Sequence, residues 1–309
     1  MKKMLKTFSL LLLGVATLSS TLTAKADTID TQTKSSNVQQ LLDLNDPNWN
    51  EFLGKTNLDY SKATVGETYV KVYESPTKTI VDDKTYTYEE YSKAKASDNA
   101  AKWLKFNYEI YPMWNNSKEA SAVIGYEWLS TPEFQLEDIF TVSSNSTAVV
   151  PGSNSNINVS YWPNVGGAPS VVKSYTNSNN RSNFQFDANG ISIKHDLRIK
   201  KSDSATISKI EALGNGYEVN KYFTRDSDGN YRTKGRPKAT MGIVIKSPTT
   251  NPYASKLQFT YHHRQVSANF NPTISISASG NVTVSGFTGG MGYDKANTSI
   301  DYKWGSTIG

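Results

Sequence analysis

Carboxylates and histidines are the side chains in this sequence whose types and spacing could do chemistry. Glu127, Glu133, Glu137 and Asp138 lie close together in the chain and near aromatic residues. Glycosidases use two carboxylates for acid and base catalysis, at a separation that sequence spacing alone does not fix. A secreted hydrolase is therefore a third interpretation of the chain, and we assign no catalytic residue.

The three histidines do not form a recognisable metal site. His262 and His263 are adjacent, and neighbouring residues on a strand point to opposite faces, so the pair cannot readily chelate one ion. His195 and Asp196 lie in a basic, strand-like segment, which predicts a solvated pair. We therefore predict no metal, no cofactor and no enzymatic activity.

The segment from Asp226 to Asn230 combines oxygen-bearing side chains with Gly229. It lacks the third oxygen ligand before the glycine and the closing glutamate of a calcium-binding EF-hand loop. We expect this segment to be the turn of a hairpin whose strands are Tyr217–Phe223 and the run from Tyr231 onward.

The tract from 139 to 180 contains only one charged residue, Lys173, and is rich in Ser, Asn, Thr, Val and Gly. An amphipathic β-hairpin that enters a bilayer needs this composition, because charges on a lipid-facing strand cost several kcal/mol. A flexible Ser/Asn-rich surface loop is the alternative, favoured by Pro151, Pro163 and Pro169. The membrane-inserting candidates are Val149, Val150, Ile157, Val159, Val171 and Val172.

Aromatic residues are a second resource for binding. Tyr111, Trp114, Tyr126 and Trp128 lie in one short region and could form a platform that stacks on sugar rings or touches a membrane interface. Aromatic side chains in β-rich proteins also serve as core residues and cross-strand pairs. Both interpretations stay open at this point.

Charge is distributed unevenly along the chain. Residues 27–193 carry 13 Lys and Arg against 20 Asp and Glu, whereas residues 194–264 carry 14 against 6. The basic part could face an anionic surface through Lys200, Lys201, Arg232 and Arg236, or the split could simply reflect two solvated faces. The near-neutral sum of the mature chain argues against a nucleic-acid binder.

Residues 1–26 have the pattern of a secretory signal peptide. Three lysines precede the apolar run from Phe8 to Leu18, and a small-x-small cleavage site follows at Ala24-Lys25-Ala26. The apolar run is shorter than the ~20 residues of a membrane-spanning helix. We therefore expect a secreted, extracellular protein, and the absence of cysteine means that packing rather than disulfides must stabilise it.

The elements that position these residues are mainly strands. We predict a β-sandwich-like fold with short helices in an N-terminal region, 27–105, followed by a mainly β domain, 106–309. The helices are expected at 38–44, 46–54 and 89–105. Alternating residues at 273–285 predict an antiparallel C-terminal hairpin with a three-residue loop, which pairs Ile276 with Val284 and gives Gly280 or Asn281 a positive φ.

The segments Ser255–Tyr261 and Ile300–Trp304 are similar to the C-terminal strands of secreted β-barrel pore-forming toxins of the leukocidin and hemolysin group. This resemblance covers about fifty residues. It implies a β-sandwich cap, an aromatic rim that touches the membrane, a mid-chain stem and a ring-shaped oligomer on a host cell. The predicted function is thus a secreted pore-forming toxin that binds a cell membrane and forms a homo-oligomer or a two-component assembly. The alternative is a secreted, non-catalytic module that binds a carbohydrate or another component of the cell surface.

Overall fold

The computed structural model describes residues 62–74, 84–97, 101–113, 116–145, 158–165, 173–176, 180–187, 189–212, 214, 216–247, 254–265, 272–285 and 293–304. Its strands, in chain order, are β1 (Thr64–Val72), β2 (Thr85–Tyr86), β3 (Lys102–Met113), β4 (Asn116–Trp128), β5 (Glu137–Ser144), β6 (Asn158–Val165), β7 (Lys173–Thr176), β8 (Phe184–Asp187), β9 (Gly190–Asp196), β10 (Phe223–Arg225), β11 (Tyr231–Thr233), β12 (Arg236–Lys246), β13 (Ala254–Arg264), β14 (Thr273–Ile276), β15 (Val282–Ser285) and β16 (Tyr293–Lys303). Its helices are α1 (Tyr88–Ser97), α2 (Ser204–Glu211) and α3 (Gly216–Tyr222).

Two antiparallel sheets form a sandwich, which confirms the predicted mainly β class. The larger sheet has seven strands in the order β2-β1-β3-β4-β12-β6-β7, and the smaller has five in the order β16-β13-β5-β9-β8. Among the described residues, no helix is both long and apolar enough to cross a membrane.

Alternation along the strands builds one core between these sheets. Leu104, Phe106 and Ile110 on β3 point inward and are fully buried, and Leu257 and Phe259 on β13 belong to the same hydrophobic cluster. Successive strand residues point to opposite faces, so the intervening residues of β3 lie on the outer face of the seven-stranded sheet. Each buried large apolar side chain contributes about 1.5–3 kcal/mol to folding.

A small lobe follows β9 in the chain. Helices α2 and α3 and the hairpin of β10 and β11 bury a second hydrophobic cluster around Ile210 and Phe223. Asp203 caps the start of α2, since its carboxylate accepts a hydrogen bond from the Thr206 amide. The hairpin is present as predicted, but the segment before Phe223 is helix rather than strand.

The C-terminal hairpin of β14 and β15 is also present, although its predicted register is wrong. Ile276 pairs with Val282, not Val284, so the connection has five residues, 277–281. The longer connection lets the Ser277 amide donate to the Asn281 carbonyl and the Gly280 amide donate to the Ser277 carbonyl. Gly280 has φ +82°, so the expected positive φ falls on the residue that tolerates it.

The helix predicted at 89–105 is shorter than expected. It ends at Ser97, and Lys102 begins a strand whose central position in the seven-stranded sheet outweighs the weak helical pattern of 101–104. The helices predicted at 38–44 and 46–54, and the signal peptide, lie outside the described residues.

Candidate surface-binding site

Two of the four aromatic residues predicted to form a stacking platform lie in the core. Tyr126 and Trp128 point inward from β4 and are 1% and 0% exposed. The Tyr126 hydroxyl forms a hydrogen bond with Nε2 of His195, and the Trp128 indole donates to the Tyr261 hydroxyl at 3.0 Å. Neither ring can stack on an external ligand.

The predicted platform also fails at its third member. Tyr111 lies on the outer face of β3 but is buried, and its hydroxyl donates to the Glu109 carboxylate. The fourth member, Trp114, lies outside the described residues. The core interpretation of these aromatics is therefore the correct one for the three that are described.

The described parts of the tract 139–180 are structural strands. Strand β5 lies in the interior of the five-stranded sheet between β13 and β9, and β6 lies between β12 and β7 in the other sheet. Val159, predicted to insert into a membrane, is 1% exposed and belongs to the shared core. The other five inserting candidates, Val149, Val150, Ile157, Val171 and Val172, lie outside the described residues.

A buried charge network joins the two sheets. His263 on β13 lies between two carboxylates, with Nδ1 3.0 Å from Oδ2 of Asp138 and Nε2 3.0 Å from Oε1 of Glu74. Glu74 follows β1 of the larger sheet, whereas Asp138 belongs to β5 of the smaller one. The Tyr261 hydroxyl also donates to Asp138, and Trp128 of the larger sheet donates to Tyr261. We call these five residues the inter-sheet network.

Electrostatics keep the histidine of the inter-sheet network positively charged. Burial disfavours the imidazolium, but the Asp138 and Glu74 carboxylates outweigh it and raise the pKa of His263 to about 10. Glu74 also accepts the backbone amides of Glu133 and Phe134, so it holds the loop that precedes β5. The network therefore connects the two sheets of the sandwich and is not exposed as a reactive site.

The other two histidines are buried and neutral. Burial lowers the pKa of His195 to about 4 and that of His262 to about 3. The predicted solvated pair of His195 and Asp196 is thus wrong, since both side chains are buried. The prediction that His262 and His263 occupy opposite faces is confirmed, because only His263 points toward the inter-sheet core.

The candidate basic residues lie at or near the small lobe. Lys200 and Lys201 are exposed, while Arg232 and Arg236 are partly buried. Part of their charge is balanced locally, because Lys200 lies 3.6 Å from Asp196 and Arg232 lies 3.6 Å from Asp226. Their binding to an anionic surface stays a prediction.

The carboxylates considered for catalysis are not gathered in a cleft. Glu127 pairs with Lys105 at 3.1 Å on the outer face of the larger sheet, and Asp138 is committed to the inter-sheet network. Across the described ranges, no group of three or more His, Asp or Glu side chains is placed to hold a metal ion. Asp226 instead closes the β10–β11 turn by accepting the amides of Asp228 and Asn230.

An aromatic group with one exposed ring lies at one edge of the seven-stranded sheet. It comprises the rings of Tyr69, Tyr86, Tyr88, Tyr91 and Trp103, which we call the aromatic corner. Tyr69 and Tyr91 stack with ring centroids 4.6 Å apart, and Trp103 packs edge-on against both Tyr86 and Tyr91 at 5.1 and 5.0 Å. Four of these rings are less than 10% exposed, whereas Tyr88 is 62% exposed.

Lysines surround the aromatic corner. The Lys84 amine lies 4.5 Å from the centre of the Tyr86 ring, and the Lys95 amine lies 5.6 Å from that of Tyr91. Such cation–π contacts hold amines beside an apolar surface. The corner therefore presents an exposed ring together with nearby hydrogen-bond donors.

A capping box orders the backbone turn that carries the exposed ring. Thr87 accepts the amide of Glu90 at 3.3 Å, and Glu90 in turn accepts the amide of Thr87 at 2.8 Å, so the start of α1 is held from both sides. The Thr87 amide bond is also the main cause of the lowered pKa of Glu90. Tyr88 occupies the first position of the capped helix, next to Tyr69 and Tyr91.

Sequence reasoning missed the aromatic corner, although a signal for it exists. The residues Thr87-Tyr88-Glu89-Glu90 have the threonine-x-x-glutamate pattern of a capping box. This pattern places Tyr88 on the first turn of a helix that is polar overall, where a large ring has little to cover it. Tyr91 lies on the same helix, but the other three rings come from β1, β2 and β3, so only the sheet topology brings them together with Tyr88.

Comparisons with known proteins find no close relative. No family model matches the chain, and no curated protein matches it. Some solved structures match, and the three described next have TM-scores of 0.30 or less; at this level the similarity carries no argument about fold family or function.

Three of these structures illustrate the range of the matches. The collagen-binding domain of a Staphylococcus aureus adhesin has a TM-score of 0.30 and 6% identity, covering 62% of this chain and 92% of its own. The pilus backbone from Streptococcus pneumoniae has a TM-score of 0.26 and 6% identity, covering 60% and 41%. AvmM, which catalyses macrocyclization in alchivemycin A biosynthesis, has a TM-score of 0.29 and 8% identity, covering 62% and 83%.

Proposed function

We propose that this protein is a secreted, non-catalytic module that binds a carbohydrate on a cell surface through the aromatic corner. The observation that carries this proposal is Tyr88, a large ring that is 62% exposed on the first turn of a capped helix. A capped helix terminus and contacts with Tyr69 and Tyr91 provide that position. A preformed ring loses little conformational freedom when it binds.

Sugar rings suit this surface for two reasons. The apolar face of a pyranose can stack on an aromatic ring, and its hydroxyls can accept from or donate to polar groups around the ring. Lys95 lies beside the corner, and Glu89 and Glu90 lie in the same helical turn as Tyr88. These groups can engage hydroxyls while Tyr88 supplies the stacking surface.

The N-terminal pattern supports export. The lysine-rich start, the short apolar run and the small-x-small site at 24–26 together predict a cleaved secretory signal. A cell-surface glycan is accessible to an exported protein. Export is therefore consistent with a role for the exposed Tyr88 ring in binding such a glycan.

The pore-forming function has less support. It needs a mid-chain segment that leaves the fold and enters a bilayer, but β5 and β6 of the tract 139–180 each pair with a strand on both sides. Releasing them would break both sheets and expose Val159 and Phe140 from the shared core. The resemblance to leukocidin-type toxins remains a hypothesis that a leakage assay addresses.

Binding to a glycan array and to intact cells tests the proposal. We expect the mature protein to bind a defined set of glycans, and Tyr88→Ala to weaken that binding at least tenfold, equivalent to about 1.4 kcal/mol. Tyr88→Phe should retain most of the affinity, since it keeps the ring. A double Lys200→Ala, Lys201→Ala variant is the matched control, because those exposed residues lie in the small lobe.

Three outcomes would contradict the proposal. Equal glycan binding by the wild type and Tyr88→Ala would show that the binding site does not lie at the aromatic corner. Loss of binding only in the double lysine variant would place it in the small lobe. Dye leakage from protein-treated liposomes, with no glycan binding, would favour the toxin.

A further inference from the structure

One face of helix α1 presents a line of exposed side chains that leads away from Tyr88. Residues four and seven positions apart on a helix lie on one face, so Tyr88, Ser92 and Lys95 share this line. All three residues are exposed, and the Ser92 hydroxyl donates to the Tyr88 carbonyl at 2.8 Å. A helix rises 1.5 Å per residue, so the line is about 10 Å long. We call these three residues the α1 stripe.

An aromatic ring holds Lys95 at the far end of the α1 stripe. The Lys95 amine lies 5.6 Å from the centre of the Tyr91 ring, and that centre lies 6.3 Å from the centre of the Tyr88 ring. Long side chains on a helix lean toward its N-terminus, which directs the amine back toward Tyr88. The ammonium group and the exposed ring therefore belong to one surface.

The charge of Lys95 is not balanced by a carboxylate within the part of the chain that the structure describes. Its one interaction there is the contact with the Tyr91 ring. Two lysines on the outer face of the same sheet differ, because Lys105 lies 3.1 Å from Glu127 and Lys246 lies 2.7 Å from Glu119. Lys95 can therefore pair with an anionic group that comes from outside the protein.

The two glutamates at the start of α1 do not lie on the α1 stripe. Glu90 accepts the Thr87 amide at 2.8 Å and lies 3.8 Å from the Lys84 amine, so its charge is engaged at the helix cap. Glu89 shares a face of the helix with Lys93, four residues later. The stripe therefore carries one positive charge and no negative charge.

An acidic sugar matches the chemistry of the α1 stripe. A pyranose ring can stack on Tyr88, the Ser92 oxygen can accept from a sugar hydroxyl, and a carboxylate or sulfate can pair with Lys95. Resting on the glycan-binding function proposed above, we propose that the aromatic corner selects anionic glycans, whose acidic group binds Lys95. A neutral glycan leaves Lys95 without a partner and should bind more weakly.

Lys95 also has a structural role that the test must separate from ligand binding. It lies in the last turn of α1, where a positive charge stabilises the helix through its dipole. A purely structural role predicts the same loss of binding for acidic and neutral glycans. Pairing with the ligand predicts a loss for acidic glycans alone.

A glycan array scored in matched pairs tests the inference. Each acidic oligosaccharide, with a uronic acid, a sialic acid or a sulfate group, is compared with its methyl-esterified or desulfated form. The wild type should prefer the acidic member by about two- to fivefold, as expected for an exposed ion pair. The preference should shrink in about 0.5 M salt, which screens exposed charges. The carboxylate and sulfate pairs show which acidic group is preferred.

Three lysine variants assign the preference to one side chain. Lys95→Gln should remove the preference and retain binding to the neutral members, whereas Lys95→Arg should keep the preference. Lys93→Gln is the matched control, because Lys93 is exposed on another face of the same helix and the variant should bind as the wild type does. Thermal unfolding of each variant measures any change in stability.

Two results would overturn this inference alone. One is Tyr88-dependent binding in which the wild type binds acidic and neutral members equally. The other is a loss in Lys95→Gln that is equal for both members of a pair or is matched by Lys93→Gln. If Tyr88→Ala leaves all glycan binding unchanged, the proposed function itself fails, and this inference fails with it.

Discussion

Two aromatic regions of this molecule use the same residue types for different purposes. In the inter-sheet network, Tyr261 and Trp128 are fully buried and their polar atoms are hydrogen-bonded to each other and to Asp138. In the aromatic corner, Tyr88 is 62% exposed and sits on a polar helix at the sheet edge. The first region holds two sheets together, and the second presents a ring to solvent.

The difference comes from how each region satisfies its polar groups. A buried charge or hydroxyl must find a partner within the protein, so the network is closed to external ligands. The exposed hydroxyl of Tyr88 is free to use water or a ligand. Substitutions in the network should therefore change stability, whereas substitutions at Tyr88 should change binding.

Removing the central carboxylate of the network should have the largest effect on stability. Asp138→Ala leaves the His263 imidazolium with one carboxylate and deprives the Tyr261 hydroxyl and the Arg264 amide of their acceptor. Breaking a buried ion pair in this way costs about 3–5 kcal/mol. Urea unfolding monitored by tryptophan fluorescence measures the change.

Asp228→Ala is the control for that substitution, because Asp228 is exposed in the β10–β11 turn. Its free energy of unfolding should stay within about 0.5 kcal/mol of the wild type. A loss below about 1 kcal/mol in Asp138→Ala would show that the network does not hold the sandwich together.

The network should also make stability depend on alkaline pH. The pKa of His263 is raised from 6.5 to about 10 in the folded state. Its contribution is therefore fully present below pH 6.5 and is lost as pH rises toward 10. Urea midpoints between pH 6.5 and 10 should fall in the wild type and fall less steeply in His263→Gln; parallel slopes would refute the charged histidine.

The same substitution at two tyrosines compares the regions directly. Tyr126→Phe removes the buried partner of His195 Nε2 and should cost about 1–3 kcal/mol. Tyr88→Phe removes an exposed hydroxyl and should leave stability within about 0.5 kcal/mol. Thermal unfolding of both variants checks the contrast, and equal losses would contradict it.

Among the substitutions expected to destabilise the protein, the smallest loss should occur at the helix cap that carries Tyr88. Thr87→Ala removes the acceptor of the Glu90 amide and should cost about 1 kcal/mol. Since the cap positions Tyr88, the variant should also weaken glycan binding while leaving the inter-sheet network intact. Thr87→Ser retains the hydroxyl and should restore both properties; unchanged binding in Thr87→Ala would separate the cap from the site.

Several features of this protein are encoded locally and were predictable from the sequence. Alternating residues identified the mainly β class, the C-terminal hairpin and the opposite faces of His262 and His263. Turn residues located the β10–β11 connection, and Gly280 was among the two residues expected to adopt a positive φ. These features follow from strand periodicity and turn chemistry within a few residues.

Other features depend on contacts between distant parts of the chain. Tyr126 and Trp128 became core residues because β4 lies in the interior of one sheet and faces the other, and Glu74 meets His263 across 189 residues of sequence. Periodicity shows that a strand has two faces but not which face is covered. Only the packing of the sheets decided that Tyr88 is exposed and that Asp138 is a structural partner.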